Sequence, residues 1–588
     1  MLHLLHDYAL EQGIALEPGF KPTAVRWAIL CGHDGRYYGV VRLGEGSDKT
    51  STGRIFPKCP ELSQGEMKAG GVLKSQFLAD SASTVILFGT DVNQKTRQKH
   101  EYFVKLLERA AETIPELAGA AACLRDRSQV ETIRCDLAEQ KGKDTDRLTF
   151  QIDGVFPLNS GAWHDWWRTF RANLPKKSGE TGKALSASQR MRCFVTGDLI
   201  RPAATHPKIE GLVDVGGATA GSPLIGFNKP SYCSYGLEQS SNAAVSAETA
   251  AAYRAALNGL IKHHGQRIAG AKIVHWFQQR IEEVDNPLPW LIVGRASQEA
   301  DAQHKASELL HDIRSGKRPD LARNRYYALT ISGASGRVMV RDWMEGQFEE
   351  LVKHVNAWFD DLAIVARDGS LADAPRFADV LRATVRTLDD AAPPFVASMW
   401  RAAVACELIP RSALAAAVRR WQADLLKRGD LDPRAVGLMK AYHLRMARVK
   451  EEPAVGEELT PYLNEGHPDV AYQCGRLLAV LAALQGAALG AVGAGVVQRY
   501  YAAASSTPAL VLGRLTRTSQ FHLGKLDPRL AHWYEQRLAS IWARINGKVP
   551  ATVTLEQQSL FALGYYQQMV NLRIKRTADD TKGDESNG

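Results

Sequence analysis

The strand-like pattern of this chain ends near residue 370, and only helical patterns follow. Before that point helical and strand-like segments alternate, and residues 24–43 and 325–343 have the pattern of hairpins. After it, three dipeptides place a capping side chain before Pro, as at a helix start: Asp432-Pro433, Thr507-Pro508 and Asp527-Pro528. The sequence therefore predicts an α+β fold, with a mixed α/β N-terminal region containing antiparallel hairpins and then an all-α C-terminal helical bundle.

This division predicts three parts: an N-terminal region over residues 1–369, a bundle over 370–576 and a disordered tail over 577–588. Within the first part, strands are predicted from apolar and β-branched runs at 84–89, 147–153, 192–197, 224–228, 271–276 and 290–294. Helices are predicted at 94–124, 246–264, 298–314 and 346–365.

The composition excludes several classes of protein. With 588 residues, 45% apolar and 23% charged, the chain has ample core-forming residues, unlike a disordered chain. Its eight cysteines include no CxxC pair, which argues against a structural zinc site and favours free thiols in a reducing compartment. We therefore expect a cytoplasmic protein.

Residues 477–497 form an uncharged stretch long enough to cross a bilayer, which leaves a membrane protein as an alternative. The stretch is rich in Ala and Gly, however, and small residues contribute little to membrane insertion. We expect two small-residue helices packed inside a soluble bundle, and no membrane partner.

Positive charge is concentrated near the C-terminus. Residues 470–578 contain 12 Lys and Arg but three Asp and Glu, while the formal charge of the whole chain is +9. Clustered cations favour a polyanionic partner, although a solvated basic face is the ordinary alternative.

Catalytic motifs are missing from the sequence. It has no HExxH, GxSxG or GxGxxG pattern. His164-Asp165 and His263-His264 are neighbours on predicted helices, where adjacent side chains point in different directions. No catalytic residue, metal ligand or cofactor is predicted, and a metal-dependent nuclease with an unrecognised site remains the alternative.

A Gly- and Lys-containing segment at 68–80 is the first nucleic-acid candidate. Glycines allow close backbone approach to a phosphate or a groove edge, and lysines supply electrostatic attraction. The candidates for the duplex are Lys68, Gly70, Gly71 and Lys74. An ordinary turn before a strand is the alternative.

A polar loop between a predicted strand and a predicted helix, within residues 224–261, is the second candidate. Its amide and phenol side chains are able to bond base edges or stack on bases. The weaker duplex candidates here are Asn228, Lys229, Tyr232, Tyr235, Gln239 and Asn242. Alternatively, the tyrosines pack and the amides cap turns.

The third candidate is a basic stripe within residues 499–529. At 100° per residue, Arg514, Arg517 and Lys525 lie within an arc of about 80°, with Phe521 among them. Cations with an interleaved aromatic ring suit a single strand of nucleic acid, so these four and Arg499 are candidates for a displaced strand. A solvated face is again the alternative.

These segments also resemble a known family. Stretches such as LKSQFLADSASTVILFG, GLVDVGGATAGSPLIGFNKPSYCSYGLEQSS, NRYYALTISG and RYYAAASSTPALVLGRL are similar to the Csd-one (Cas-eight-c) family, the large subunits of the type I-C CRISPR interference complex (Cascade). Ser81 stands where the family pattern leads us to expect Asn, so no base contact is assigned there.

The resemblance implies a subunit without enzymatic activity that joins guide RNA and target DNA in a ribonucleoprotein for antiviral defence. Its partners would be the backbone and guide-end-capping subunits, and a helicase-nuclease recruited after target binding. It would recognise the protospacer-adjacent motif (PAM) and stabilise the R-loop and its displaced strand, which agrees with base pairing supplying most of the specificity.

The resemblance further implies a small subunit made from an internal start in some family members. Met439 and Met446 are the candidate starts here. The alternative is that both are core residues of a helix over 433–449.

Overall fold

The chain forms two compact units in the computed structural model. Unit 1 comprises Met1–Glu210 and Ala220–Gly259, and unit 2 comprises Gly211–Thr219 and Leu260–Gly588. The structure describes residues 1–14, 17–44, 53–62, 66–67, 72–90, 92–174, 190–203, 205–227, 229–237, 239–292, 299–429, 431–490 and 495–585.

Unit 1 mixes short strands with helices. Its strands are β1 Phe20–Val25, β2 Trp27–Cys31, β3 Tyr37–Arg42, β4 Arg54–Pro60, β5 Asp80–Ser81, β6 Arg147–Ile152, β7 Met191–Arg192, β8 Leu199–Ile200, β9 Lys208–Ile209 and β10 Ser222–Pro223. Its helices are α1 Leu2–Glu11, α2 Ala82–Val85, α3 Gln94–Ala111, α4 Ala118–Arg125, α5 Arg127–Glu139, α6 His164–Ala172 and most of α7 Ala247–His264.

A four-stranded sheet of order β3-β2-β6-β5 organises unit 1. Its central pair, β2 and β6, is parallel, whereas the flanking pairs are antiparallel. β2 and β3 form the hairpin predicted within residues 24–43. The sheet shares one core with α3 to α6, in which Phe77 stacks on Trp167.

Unit 2 combines one antiparallel sheet with many helices. Its strands are β11 Gln266–Ile268, β12 Ala271–Phe277, β13 Arg325–Ala334 and β14 Arg337–Gln347. Its helices are α8 Pro287–Ile292, α9 Glu299–Arg314, α10 Pro319–Ala322, α11 Phe348–Leu362, α12 Phe377–Arg382, α13 Pro393–Val404, α14 Arg411–Arg428, α15 Pro433–Val449, α16 Pro453–Glu457, α17 Val470–Leu489, α18 Val496–Ala504, α19 Pro508–Leu523, α20 Pro528–Ile545 and α21 Leu555–Glu585.

The second predicted hairpin is present as β13 and β14. Ser335 and Gly336 connect them, and both have positive φ angles, 49° and 74°. Two consecutive residues in the left-handed region match the right-handed twist of the flanking strands. The sheet has the sequential order β11-β12-β13-β14, so the α+β fold class predicted from the sequence is confirmed.

The two units divide near residue 260 and not at the predicted boundary after residue 369. The reason is that the β11–β14 sheet does not have a core of its own. Ile273 of β12 belongs to the same buried cluster as Trp400 of α13 and Phe561 of α21. Because apolar faces are buried together, the sheet joins the C-terminal helices in one unit.

Two of the three predicted helix caps form. The carboxylates of Asp432 and Asp527 accept hydrogen bonds from the amides of Arg434 and Arg529 at the starts of α15 and α20. The Thr507 hydroxyl instead donates to the carbonyl of Ala503 at 3.0 Å, so it bonds to the preceding helix. At the C-terminus, α21 continues to Glu585 where the sequence predicts a disordered tail from residue 577.

Of the uncharged stretch 477–497, residues 477–489 belong to α17 and residues 496–497 to α18, while residues 491–494 lie outside the described part of the chain. Leu477, Leu478 and Leu481 of α17 are buried in the core of unit 2. Among the described helices, none combines the length and the hydropathy needed to span a bilayer.

Candidate nucleic-acid interface

The exposed side of α19 brings two of the predicted cations together with the predicted aromatic residue. Val511, Leu512 and Leu515 are buried in the core of unit 2, which fixes the rotation of the helix about its axis. Arg514, Arg517 and Phe521 therefore face solvent, and 76% of Phe521 is exposed. The spacing of three and four residues places them on one helix face.

Leu510 extends this face by one turn and was not predicted from the sequence. It is also 76% exposed. At 100° per residue, Leu510, Arg514, Arg517 and Phe521 lie within an arc of about 60°. We call these four residues the α19 stripe. The signal in the sequence was the i, i+4, i+7, i+11 spacing, but a Leu in a helix is normally assigned to the core.

Lys525 and Arg499 do not belong to the α19 stripe, although both are exposed. α19 ends at Leu523, so the helical projection that grouped Lys525 with the arginines does not apply to it. Lys525 lies in the turn before α20. Arg499 lies on α18, the preceding helix.

The charge around the α19 stripe is not neutralised within the described part of unit 2. Seven exposed cations between the start of α18 and residue 548, just after α20, form no ion pair with a described residue: Arg499, Arg514, Arg517, Lys525, Arg529, Arg544 and Lys548. The nearby acidic residues are Asp527, which caps α20, and the exposed Glu535. Unpaired cations of this density attract polyanions.

Two further arginines of this region are structural. Arg476 is buried, and it donates hydrogen bonds to the Gln568 and Gln473 side-chain oxygens at 3.0 and 2.8 Å. The Arg537 guanidinium lies 3.4 Å from the centroid of the Trp533 ring. The count of 12 basic residues therefore overstates the exposed charge, because a sequence does not show which cations turn inward.

The N-terminal candidates at 68–80 fall largely outside the described residues. Lys68, Gly70 and Gly71 lie outside them, as does Asn228 of the second candidate segment. Lys74 is described and is only 3% exposed, and burial lowers the pKa of its ammonium group. A buried ammonium does not present itself to a phosphate, so Lys74 is not proposed as a nucleic-acid contact.

The loop Lys229–Leu237 presents side chains to solvent. Lys229 and Tyr232 are exposed, and Tyr235 is fully exposed. Tyr235 has a φ of 54°, in the left-handed region that costs a non-glycine residue roughly 1–2 kcal/mol, and Gln239, just after the loop, lies in the same region with a φ of 47°. The surrounding contacts must therefore hold this loop in its conformation.

Asn242 supplies those contacts and is not free to bond a base edge. Its side-chain oxygen accepts from the Ser234 amide at 2.9 Å, and its nitrogen donates to the Leu237 and Gln239 carbonyls at 2.9 and 3.0 Å. The turn-capping interpretation fits Asn242 better than a nucleic-acid contact. Tyr232 and Tyr235, in contrast, are exposed, so the alternative that these tyrosines pack in the core does not apply.

The His–Asp neighbours show no catalytic arrangement. The Asp165 carboxylate pairs with Arg168, and the His164 ring packs edge-on against Phe20 and Trp163. Within the described ranges, no three His, Cys, Asp or Glu side chains are grouped so that they could hold a metal ion.

One protein family covers both units of the chain. The family model described as CRISPR-associated protein (Cas_Csd1) matches residues 5–573, which is nearly the whole chain. No match is found among curated proteins. The matched residues include every candidate discussed above, so the chain belongs to the Cas_Csd1 family, the large subunits of the type I-C CRISPR interference complex (Cascade).

Proposed function

We propose that this large subunit binds DNA without catalysing a reaction, and that the α19 stripe with Arg499 and Lys525 contacts the displaced strand of the R-loop. The observation that carries the proposal is the exposed set of unpaired cations next to the exposed Phe521. Arginines and lysines attract phosphates, and an exposed aromatic ring stacks on bases of any sequence.

Unit 1 is proposed to recognise the duplex at the PAM. The supporting feature is the exposed loop Lys229–Leu237, whose backbone is held in an unfavourable conformation by Asn242. Strained, preorganised loops are common at binding sites because ordering has already taken place before the ligand arrives. Lys68, Gly70 and Gly71 remain proposed contacts on the sequence pattern alone.

The remaining parts of the proposal concern the assembly. The subunit would join guide RNA, backbone and guide-end-capping subunits, and would offer the docking surface for the helicase-nuclease after the target is bound. The family assignment supports membership of the complex. These individual contacts rest on the resemblance.

Met446 is the better candidate for an internal start. Arg445 is buried and pairs with the fully buried Asp361 of α11 at 2.9 Å. A fragment starting at Met439 would keep Arg445 and the buried Lys440 but lose Asp361, and an uncompensated buried charge is strongly destabilising. A fragment from Met446 loses Arg445 and Lys440 as well as Asp361, and Arg448, the other partner of Asp361, is half exposed.

We expect Met446→Leu to remove a small C-terminal fragment from cells expressing the gene, while Met439→Leu leaves it. Immunoblotting with a C-terminal tag distinguishes the two variants. A fragment that persists in Met446→Leu and disappears in Met439→Leu would contradict the assignment.

The experiment that tests DNA binding compares two double variants in the assembled complex. Arg514→Ala with Arg517→Ala removes the two stripe cations, and Lys95→Ala with Arg97→Ala removes two exposed cations of α3 in unit 1. Affinity for target DNA is measured by filter binding over a series of salt concentrations.

We expect the stripe variant to bind more weakly. The slope of log K against log salt concentration should become less steep by about 0.7 per lost phosphate contact, the value for single strands. The α3 variant is expected to keep the wild-type slope. If both variants keep it, the α19 stripe does not contact nucleic acid. Metal-dependent cleavage of the DNA by the isolated subunit would instead favour a nuclease.

A further inference from the structure

The short hairpin β7–β8 in unit 1 is the strongest feature that the proposed function does not use. Its turn runs from Cys193 to Asp198. The Cys193 amide donates to the Asp198 carbonyl at 2.7 Å, and the Gly197 amide donates to the Cys193 carbonyl at 2.8 Å. Gly197 has a φ of 82°, so the turn needs a residue without a side chain there.

The Cys193 sulfur forms a hydrogen bond within this turn, on its buried side. Cys193 is almost fully buried, and its sulfur accepts a hydrogen bond from the Thr196 amide at 3.5 Å. Burial raises the pKa of the thiol, but hydrogen bonds from Thr196, Val195 and Ser246 outweigh burial and lower the pKa overall.

The outer side of the hairpin exposes apolar and basic side chains. Phe194 is 54% exposed and Leu199 is 62% exposed. Three exposed arginines flank them, Arg190, Arg192 and Arg201, and none forms an ion pair with a described residue. Asp198 is the one acidic residue within 190–201, which leaves this segment with a formal charge of +2.

The hairpin and the loop Lys229–Leu237 are anchored on the same short segment. The Phe194 amide donates to the Ala244 carbonyl at 3.1 Å. Asn242, two residues before Ala244, accepts a hydrogen bond from the Ser234 amide of the loop. The Ala203 amide, just after the hairpin, donates to the Val245 carbonyl at 2.8 Å. The two exposed elements are therefore fixed side by side by residues 242–245.

We propose that the β7–β8 hairpin and the loop Lys229–Leu237 form one binding surface for unpaired DNA bases, in which Phe194 and Tyr235 stack on bases and Arg190 and Arg201 contact phosphates. The proposal rests on the proposed function of unit 1, and it adds a contact element that neither the motifs nor the family match assigns. The unpaired bases would be those that open next to the duplex that unit 1 recognises.

The charge and the exposed rings favour DNA over a protein partner. Protein–DNA interfaces are much more positively charged than protein–protein interfaces, and residues 190–201 carry a formal charge of +2 with no ion pair to a described residue at the three arginines. Aromatic rings next to cations are the common arrangement for single strands, because every base has a face to stack on.

The test measures binding of the assembled complex to a fluorescent oligo(dT) and to the matching target duplex by anisotropy. The variants are Phe194→Ala and the pair Arg190→Ala with Arg201→Ala. Tyr38→Ala is the matched control, since Tyr38 is an exposed aromatic residue of β3 in the same unit. We expect Phe194→Ala to weaken oligo(dT) binding at least about fivefold, and Tyr38→Ala to leave it unchanged.

Cys193 is expected to act as a positioning residue. Cys193→Ser keeps an acceptor for the amides of the turn, whereas Cys193→Ala removes it. We expect Cys193→Ala to weaken oligo(dT) binding and Cys193→Ser to restore most of it, at equal thermal stability of the complex. Equal binding by both variants would show that the sulfur does not position the hairpin and would count against the proposed surface.

The outcomes separate this surface from the function as a whole. If Phe194→Ala and the arginine pair bind oligo(dT) normally while Arg514→Ala with Arg517→Ala is impaired, the hairpin proposal is wrong and the proposed function stands. If the Phe194 variant loses guide RNA or a protein subunit but binds DNA normally, the hairpin has another partner and the proposal is also overturned.

Discussion

Two glycines allow α17 and α21 to pack closely, which is an effect of single residues on the core of unit 2. A Cβ placed on Gly475 would lie under 3.0 Å from the Phe561 carbonyl oxygen, and one on Gly564 would overlap the Tyr472 carbonyl in the same way. Real Cβ atoms do not approach backbone oxygens this closely, so any side chain at either position forces the helices apart.

We therefore expect Gly475→Ala to lower the free energy of unfolding by about 1–3 kcal/mol, the usual cost of overpacking. Gly486→Ala is the control, because it lies on the same helix with nothing within 4 Å of its added Cβ. There Ala should stabilise the helix by up to about 1 kcal/mol. Chemical denaturation measures both. A neutral Gly475→Ala would contradict the close packing.

At the level of single residues, the sequence predicted side-chain types better than it predicted their surroundings. Arg514, Arg517 and Phe521 are exposed on one helix face, as their spacing indicates. Lys74 and Arg476 are buried, and Asn242 is occupied by its own loop, because burial and hydrogen bonding depend on neighbours distant in the sequence. The local sequence around these residues does not distinguish them from exposed Lys, Arg and Asn residues.

The helix pair α15 and α21 contains a titratable contact between two elements. His443 of α15 bonds the Ser559 hydroxyl of α21 at 2.7 Å, and burial lowers the pKa of His443 to about 4. In the unfolded chain an imidazole has a pKa of about 6.5. Between these values the unfolded state binds a proton that the folded state does not, so stability falls as the pH decreases from about 6.5 to about 4.

Replacing His443 by Gln should remove the contribution of this protonation to the pH dependence of stability. We expect the pH dependence of the unfolding free energy to become shallower by about 1.4 kcal/mol per pH unit between pH 4.5 and 6. His304→Gln on α9 is the control, because the His304 side chain is 77% exposed. An unchanged slope in His443→Gln would contradict a buried neutral imidazole.

The element predictions succeeded where a pattern was long or its turn specific. The hairpins β2–β3 and β13–β14, the strands β6 and β12 and the helices α7 and α15 lie where the sequence predicts them. The predicted strand 84–89 instead overlaps the short helix α2, and 290–294 overlaps the end of α8. Short apolar runs fit a strand and a buried helix equally well, so periodicity alone does not separate them.

Breaks within elements were also missed. The helix predicted over 94–124 is interrupted between α3 and α4, where Pro115 lacks an amide hydrogen and cannot continue a helix interior. The predicted strand 192–197 is mostly the turn between β7 and β8. Gly197 was included in that predicted strand, whereas its φ of 82° belongs to the turn.

For the whole molecule, the sequence located the change of secondary structure but not the division into units. The last described strand, β14, ends at Gln347, and no described strand follows residue 370, yet the β11–β14 sheet packs with the helices that follow it. A boundary depends on which apolar faces share a core, and that is decided by long-range packing. The family match extends across both units.

We propose that the exposed side of α19 lies along the displaced strand in the assembled complex. Replacing Phe521 by a photo-crosslinking amino acid in the assembled complex, bound to a target duplex with labelled strands, tests it directly. The control position is Val284, an exposed residue of unit 2. We predict a crosslink from position 521 to the displaced strand when the target matches the guide, and none from position 284. If position 521 crosslinks only to protein, or to neither DNA strand, then α19 does not lie along the displaced strand.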